Sequence, residues 1–108
     1  MSKTILQINY HFDLTPDEHL DLCNHAAAAI AAVSGLVWKT WLVNEANHEG
    51  GGIYLFESRQ QAEDYLSGPI ITALGKHPSI SKVSVKLFDT NEALDEITRA
   101  PVKLAIAS

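Results

Sequence analysis

The sequence predicts a single α+β domain of order β-α-β-β-α-β, an antiparallel sheet with both helices on one face. Three observations predict it. Residues 3–12 and 79–88 alternate between apolar and polar positions, the two-residue period of a half-buried strand. Thr15 and Ser58 each open an apolar-periodic stretch with a capping-box pattern. Between them, GLVWKTWLVNEANHEGGGIYLF (35–56) holds two β-rich runs joined by a polar loop. Strands and helices in that order make the split βαβ of ferredoxin-like folds.

In KTILQINYHF, Leu6, Ile8, Tyr10 and Phe12 share one face, and Ile5, Gln7, Asn9 and His11 the other. Thr15 then caps a helix: its hydroxyl takes the Glu18 amide, Glu18 reaches back, and Pro16 sits at the first helical position. The helix is expected to run to about Ser34 on a stripe of Leu20, Ala27, Ile30 and Ala31, with Gly35 as its cap. Residues 36–43 are too β-branched and aromatic for helix, and 52–57 form a strand after the glycines. Ser58 with Gln61 starts a second helix carrying Ala62, Tyr65 and Leu66. Gly68 and Pro69 interrupt it, and Ile70, Ile71 and Leu74 add a further helical turn or two closed by Gly75. In 79–88, Val83, Val85 and Leu87 oppose Lys82, Ser84, Lys86 and Phe88. From about residue 91, Asn91 caps a short tail helix with Leu94 and Ile97; Pro101 stops it and VKLAIAS trails off.

The chain has 108 residues, 46% hydrophobic and 19% charged, as expected of one globular domain spanning 1–108. Its net charge of -5 and scattered basic residues argue against a nucleic-acid partner. Cys23 is the only cysteine, which rules out an intrachain disulfide and a thiolate cluster. It reads as a small buried helix residue, since His25 lies two positions away on another helix face. The N-terminal MSKTILQINYHF has no basic region followed by an apolar run, and no stretch approaches the ~18 apolar residues of a membrane span. The expectation is a cytoplasmic protein without a membrane partner.

Trp38 and Trp41 are three residues apart and point to opposite faces of their strand. Tyr54 and Phe56 likewise oppose Ile53 and Leu55. Both sheet faces carry large apolar groups, so the face without helices is expected to pack on a second copy, giving a homodimer.

GLVWKTW, then NHEGGGIYLF and KLFDTNEAL, resembles the YdhR-type mono-oxygenase family of the dimeric α+β barrel superfamily. The likeness runs from Leu6 and Gln7 to about Leu94 and is densest from Trp38 to Phe56. The resemblance implies a dimeric barrel, a small-molecule site and, by fold analogy, cofactor-independent mono-oxygenation. The same barrel is similar to folds hosting haem degradation, lactone isomerisation and polyketide cyclisation.

Cofactor-free oxygenation needs a substrate whose anion gives an electron to dioxygen, with a base, oxyanion donors and a dry pocket. The expected pocket lies between sheet and helices and takes a small aromatic or polyketide-like substrate. Asn9, His11 and His48 are the candidates for polarisation or proton transfer. Gln7, Trp38, Trp41, Tyr54 and Tyr65 are the candidates for binding it. Each has a plainer reading: the tryptophans as core and interface, Gln7, Asn9 and His11 as a solvated face, His48 and Glu49 as loop-tying residues. Gly50, Gly51 and Gly52 supply a positive φ or a close backbone approach, and lead into a strand and so make no phosphate cradle. No histidine pair has helical metal-ligand spacing, and no dinucleotide or P-loop fingerprint occurs. No metal or cofactor is expected. The alternatives are a cofactor-free cyclase or isomerase, and a non-catalytic dimer binding an apolar metabolite.

Overall fold

The computed structural model describes residues 3–101; the expected trailing VKLAIAS lies outside them. The elements are β1 (Thr4–Phe12), α1 (Pro16–Ala31), β2 (Leu36–Asn44), a 3-10 turn (Glu45–Asn47), β3 (Glu49–Phe56), α2 (Arg59–Leu66), α3 (Pro69–Lys76), β4 (Ile80–Asp89) and α4 (Glu92–Thr98). The sheet order is β2-β3-β1-β4 with every neighbour antiparallel. This is the ferredoxin-like α+β fold expected from the element order.

Alternation in β1 drives the core. Leu6, Ile8, Tyr10 and Phe12 are buried under the helices and meet Tyr54, Phe56, Ile30, Ala62 and Tyr65. Full burial of a side chain such as Leu6 or Ile8 stabilises the fold by ~1.5–3 kcal/mol. Thr15 closes the expected capping box, accepting the Glu18 amide at 3.2 Å while the Glu18 carboxylate accepts the Thr15 amide at 2.9 Å. Ser58 makes half of one: it accepts the Gln61 amide, and the Gln61 side chain turns to the Ser58 hydroxyl.

Four details differ from the sequence expectation. Helix α1 ends at Ala31 because its last amides tighten onto Ala28, Ala29 and Ile30, and Gly35, at φ 83°, serves the turn into β2. Its inward stripe is His19, Leu22, Cys23, Ala26 and Ile30, whereas Leu20 and Ala31 are exposed. The register turns this way because His19, bonded and stacked against β1, occupies a core position that an apolar residue was expected to fill. The third strand begins at Glu49, so the glycine triplet lies within the sheet; the turn itself takes its positive φ at His48, while Gly51, at φ 155°, supplies the expected positive φ and close backbone approach inside the strand. Gly75 lies inside α3, which ends at Lys76.

On the face away from α1, cross-strand pairing aligns Trp38, Leu55, Ile5 and Phe88 in one row, and Thr40, Ile53, Gln7 and Lys86 in the next. The tryptophans do point to opposite faces. After β4 the chain passes through α4, and the Trp38 indole donates to the Pro101 carbonyl at 2.8 Å. Residue 101 therefore reaches the β2 edge, across the sheet from β4. Leu55, central in that row, is fully buried, so this end of the face is covered within the chain. No helix among the described residues is long and apolar enough to cross a membrane.

Candidate functional site

A cavity of about 280 Å³ lies between the helix face of the sheet and helices α1 and α3, near the small end of the ~300–1,000 Å³ usual for ligand sites. Ile70, Ile71 and Leu74 of α3 and Leu22 and Ala26 of α1 make one wall; Lys39, Trp41, Tyr10 and Tyr54 of the sheet make the other, with Tyr65 from α2. The lining is predominantly apolar and aromatic.

Register explains its shape. Lys39 pairs with Tyr54 and Trp41 with Gly52 across β2 and β3. A Cβ on Gly52 would lie 2.5 Å from Lys39 Cε, so the missing side chain leaves the slot in which the lysine lies. The ammonium sits 3.3 Å from the Trp41 ring centroid and 4.7 Å from that of Tyr54. Two aromatic faces hold it by cation–π attraction. The ion pairs among the described residues are Lys3–Glu57, His25–Asp21 and Arg59–Glu63, so Lys39 has no carboxylate partner there. Burial pulls its pKa from 10.5 down to about 8, opposed by Cys23. The amine is still mostly charged at neutral pH.

Two hydroxyl pairs border the cavity. Tyr65 donates to Tyr54 at 3.1 Å, and burial raises the pKa of both phenols. Tyr10 Oη lies 2.7 Å from His19 Nε2. Burial raises Tyr10 and lowers His19, the latter opposed by Glu45. A protonated phenol beside a neutral imidazole makes Tyr10 the donor and Nε2 the acceptor, which puts the imidazole proton on Nδ1. The His19 ring stacks on Phe12 at 4.0 Å. Gly50 makes room for the pair, since a Cβ there would come within 2.9–3.0 Å of both rings.

A second cavity, about 360 Å³, lies between the first half of α1 and β2 and is lined by His19, Leu20, Val43, Asp17 and Glu45 among others. Cys23 and Trp41 border both cavities. A cleft of similar volume beside Gln61, Asp64 and Gly68 gathers no comparable set of polar groups. Among the described residues, no three His, Cys, Asp or Glu side chains converge to hold a metal ion.

Of the residues singled out in the sequence, Trp41, Tyr54 and Tyr65 line the first cavity. Gln7, Asn9 and His11 lie on the opposite sheet face, where Gln7 donates to Asn9 at 2.9 Å. Trp38 lies on that face too. His48 ends the 3-10 turn in the left-handed region, its carbonyl accepting the Phe12 amide at 2.9 Å. The expected grouping of Asn9, His11, Trp38, His48 and Tyr54 around one pocket is thus not formed. The reason is strand parity: Tyr54 pairs with Leu6, so odd-numbered β1 residues point away from it.

The family described as "Putative mono-oxygenase ydhR" matches residues 5–101. The chain belongs to this family. Among solved structures, the ydhR-family chain is similar to SnoaB from Streptomyces nogalater, a cofactor-independent oxygenase, at 19% identity and TM-score 0.66, covering 84% of this chain and 95% of that one. It is similar to the ActVA-Orf6 monooxygenase of Streptomyces coelicolor, solved with Nanaomycin D, at 15% identity and TM-score 0.64, covering 83% and 88%. The haem-degrader MhuD from Mycobacterium tuberculosis, with two haems in its active site, matches at 20% identity and TM-score 0.58, covering 80% and 94%. At these identities the likeness establishes the fold. No curated protein matches the chain.

The sequence reading of this ydhR-family chain does not single out Lys39, Tyr10, His19, Cys23 or His77 as cavity residues. The signals were present. Lys39 shares strand parity with Trp41, and His19 stands four residues before Cys23 on one helix face. The sequence reading of Cys23 weighs only His25, whereas the histidine that approaches it is His19, with Sγ and Nε2 3.6 Å apart. Burial raises the thiol pKa, consistent with a protonated, unreactive cysteine.

Proposed function

We propose that this protein is a cofactor-independent mono-oxygenase acting on a small aromatic or polyketide-like phenol in the cavity between sheet and helices. One observation carries the reading: an ammonium without a carboxylate partner among the described residues, Lys39, inside a cavity walled by Trp41, Tyr54 and Tyr65. Such a cation favours an anionic ligand, and the aromatic walls favour a flat one. A phenolate or enolate held there can pass an electron to dioxygen. The overall change converts a substrate CH2 to C=O, one oxygen atom entering the product and the other leaving as water with the two hydrogens. No external reductant is required. Membership of a mono-oxygenase family and the fold shared with SnoaB support this chemistry.

Oxygen uptake on a panel of phenols and anthrones tests it. The expected result is one dioxygen consumed per carbonyl formed, reduced at least tenfold in Lys39→Met. No uptake with any member, or uptake indifferent to Lys39, overturns the proposal. The Tyr10–His19 pair favours a second reading, cyclisation or isomerisation by proton transfer alone, which product formation under anaerobic conditions would reveal.

We also propose a homodimer through the part of the open face not crossed by the tail. Leu42 and Ile53 supply apolar surface there, and Gln7, Asn9 and His11 its polar partners. A monomeric mass in sedimentation at micromolar concentration refutes it.

A further inference from the structure

Anion chemistry in the cavity requires a base; neither His11 nor His48 lines it, and His77, which does, has its Nδ1 occupied by the Ser79 amide at 3.1 Å. We propose that Tyr10 and His19 supply that base as a two-residue relay between the two cavities: Tyr10 takes a proton from the ligand while handing its own to His19. This rests on the phenol-binding reading of the cavity above.

The geometry carries it. Tyr10 lines the inner cavity and His19 the outer one, and a 2.7 Å hydrogen bond joins them. The bond is short and well within range for proton transfer. Both residues are buried, at 7% and 5% exposure, so water does not compete for the bond. Phe12 fixes the imidazole plane by stacking, and Gly50 keeps the space clear. The bond is oriented for the task, since the Nε2 of a neutral imidazole accepts from the protonated Tyr10 phenol.

In the step, the ligand O–H or acidic C–H bond breaks and a new O–H forms on Tyr10. The original Tyr10 O–H breaks and an N–H forms on His19 Nε2. Tyr10 is neutral before and after. The ligand becomes an anion beside the Lys39 ammonium, and His19 an imidazolium. The charged and titratable groups around His19 are Tyr10 from β1, Cys23 and Asp17 from α1, and Glu45 from the 3-10 turn. Burial disfavours the imidazolium and Glu45 favours it, burial being the larger; Lys39, whose charge is felt at Cys23, lies on the ligand side. Tyr10 is the catalytic residue of the pair, and His19 acts through it.

The test uses 4-nitrophenol, whose phenolate absorbs at longer wavelength than the phenol, with the full-length protein. At pH 7 the bound probe is expected to show the phenolate band, and the His19 ring nitrogens to take the imidazolium signature in 15N NMR. In Tyr10→Phe and His19→Asn, checked for folding by circular dichroism, the probe should still bind but lose the excess phenolate band. Tyr10→Phe should also leave His19 neutral on binding. Binding with unchanged ionisation in both variants, or His19 staying neutral in the wild type, overturns the relay while leaving the cavity reading intact. No binding of the probe overturns both.

Discussion

Lys39→Met should make the protein more stable and at least tenfold less active. Holding an ammonium at a pKa of about 8 in place of 10.5 costs at most about 3.5 kcal/mol, from ~1.4 kcal/mol per decade. The amine is half-buried and therefore partly solvated, and the Trp41 contact returns about 1 kcal/mol of cation–π attraction. The net gain for methionine, which fills the same slot, is about 1 kcal/mol at pH 7, or roughly 4 °C in Tm for a domain of this size. The sign with pH follows from linkage. Between about pH 8 and 10.5 the unfolded chain binds the lysine proton and the folded chain does not, so wild-type stability rises with pH there relative to the variant. The advantage of Lys39→Met is therefore full below pH 8 and vanishes by about pH 10.5. Urea unfolding of both proteins at pH 7, 8.5 and 10 measures it. A variant less stable than wild type at pH 7, or a difference that does not change with pH, refutes the account of an uncompensated buried cation.

The two neighbouring glycines should behave differently. Gly51→Ala would drive its Cβ into the Ile8 carbonyl, a backbone atom that cannot yield, and should lose more than ~3 kcal/mol in denaturant unfolding or fail to fold. Gly52→Ala meets chiefly the flexible Lys39 stem, and the Thr40 carbonyl at 3.2 Å; stability should fall by no more than ~1–2 kcal/mol while 4-nitrophenol binding is lost. Tyr54→Phe and Tyr65→Phe should each cost ~1 kcal/mol, and the double variant less than their sum, because both remove one buried hydrogen bond. Trp38→Phe should cost no more than ~1 kcal/mol and speed amide exchange in α4, because it frees the segment held through Pro101; cavity binding should not change.

Much of the fold was legible because its signals are local. Alternation in residues 3–12 needs only the two-residue period of a strand, and Thr15, Glu18 and Pro16 encode a helix start within one turn. Ser58, the Gly68–Pro69 break and Asn91 did the same for α2, α3 and α4. The stripe of α1 was misread because a histidine sits in it, and a buried histidine is recognisable only once its partner, Tyr10, is known. The sequence places Gly50 and Gly51 in the loop because glycines ordinarily punctuate strands; in the structure the whole triplet lies inside one, and the missing side chains leave the space for Lys39 and the Tyr10–His19 pair.

The candidate site was legible in its aromatic half and not in its charged half. Trp41, Tyr54 and Tyr65 were identifiable as large amphipathic groups, and they do meet. Parity already separated Asn9 and His11 from Tyr10, but it does not say which face faces the helices. By itself the sequence determined the order of elements, the helix starts, the opposed tryptophans and, through its motifs, the ydhR family. The tertiary structure decided which sheet face carries the cavity, that the tail reaches Trp38, and that Lys39, Trp41 and Tyr54 converge over Gly52. Those facts depend on cross-strand register and on helix rotation, which join residues far apart in the chain and leave no periodic trace along it.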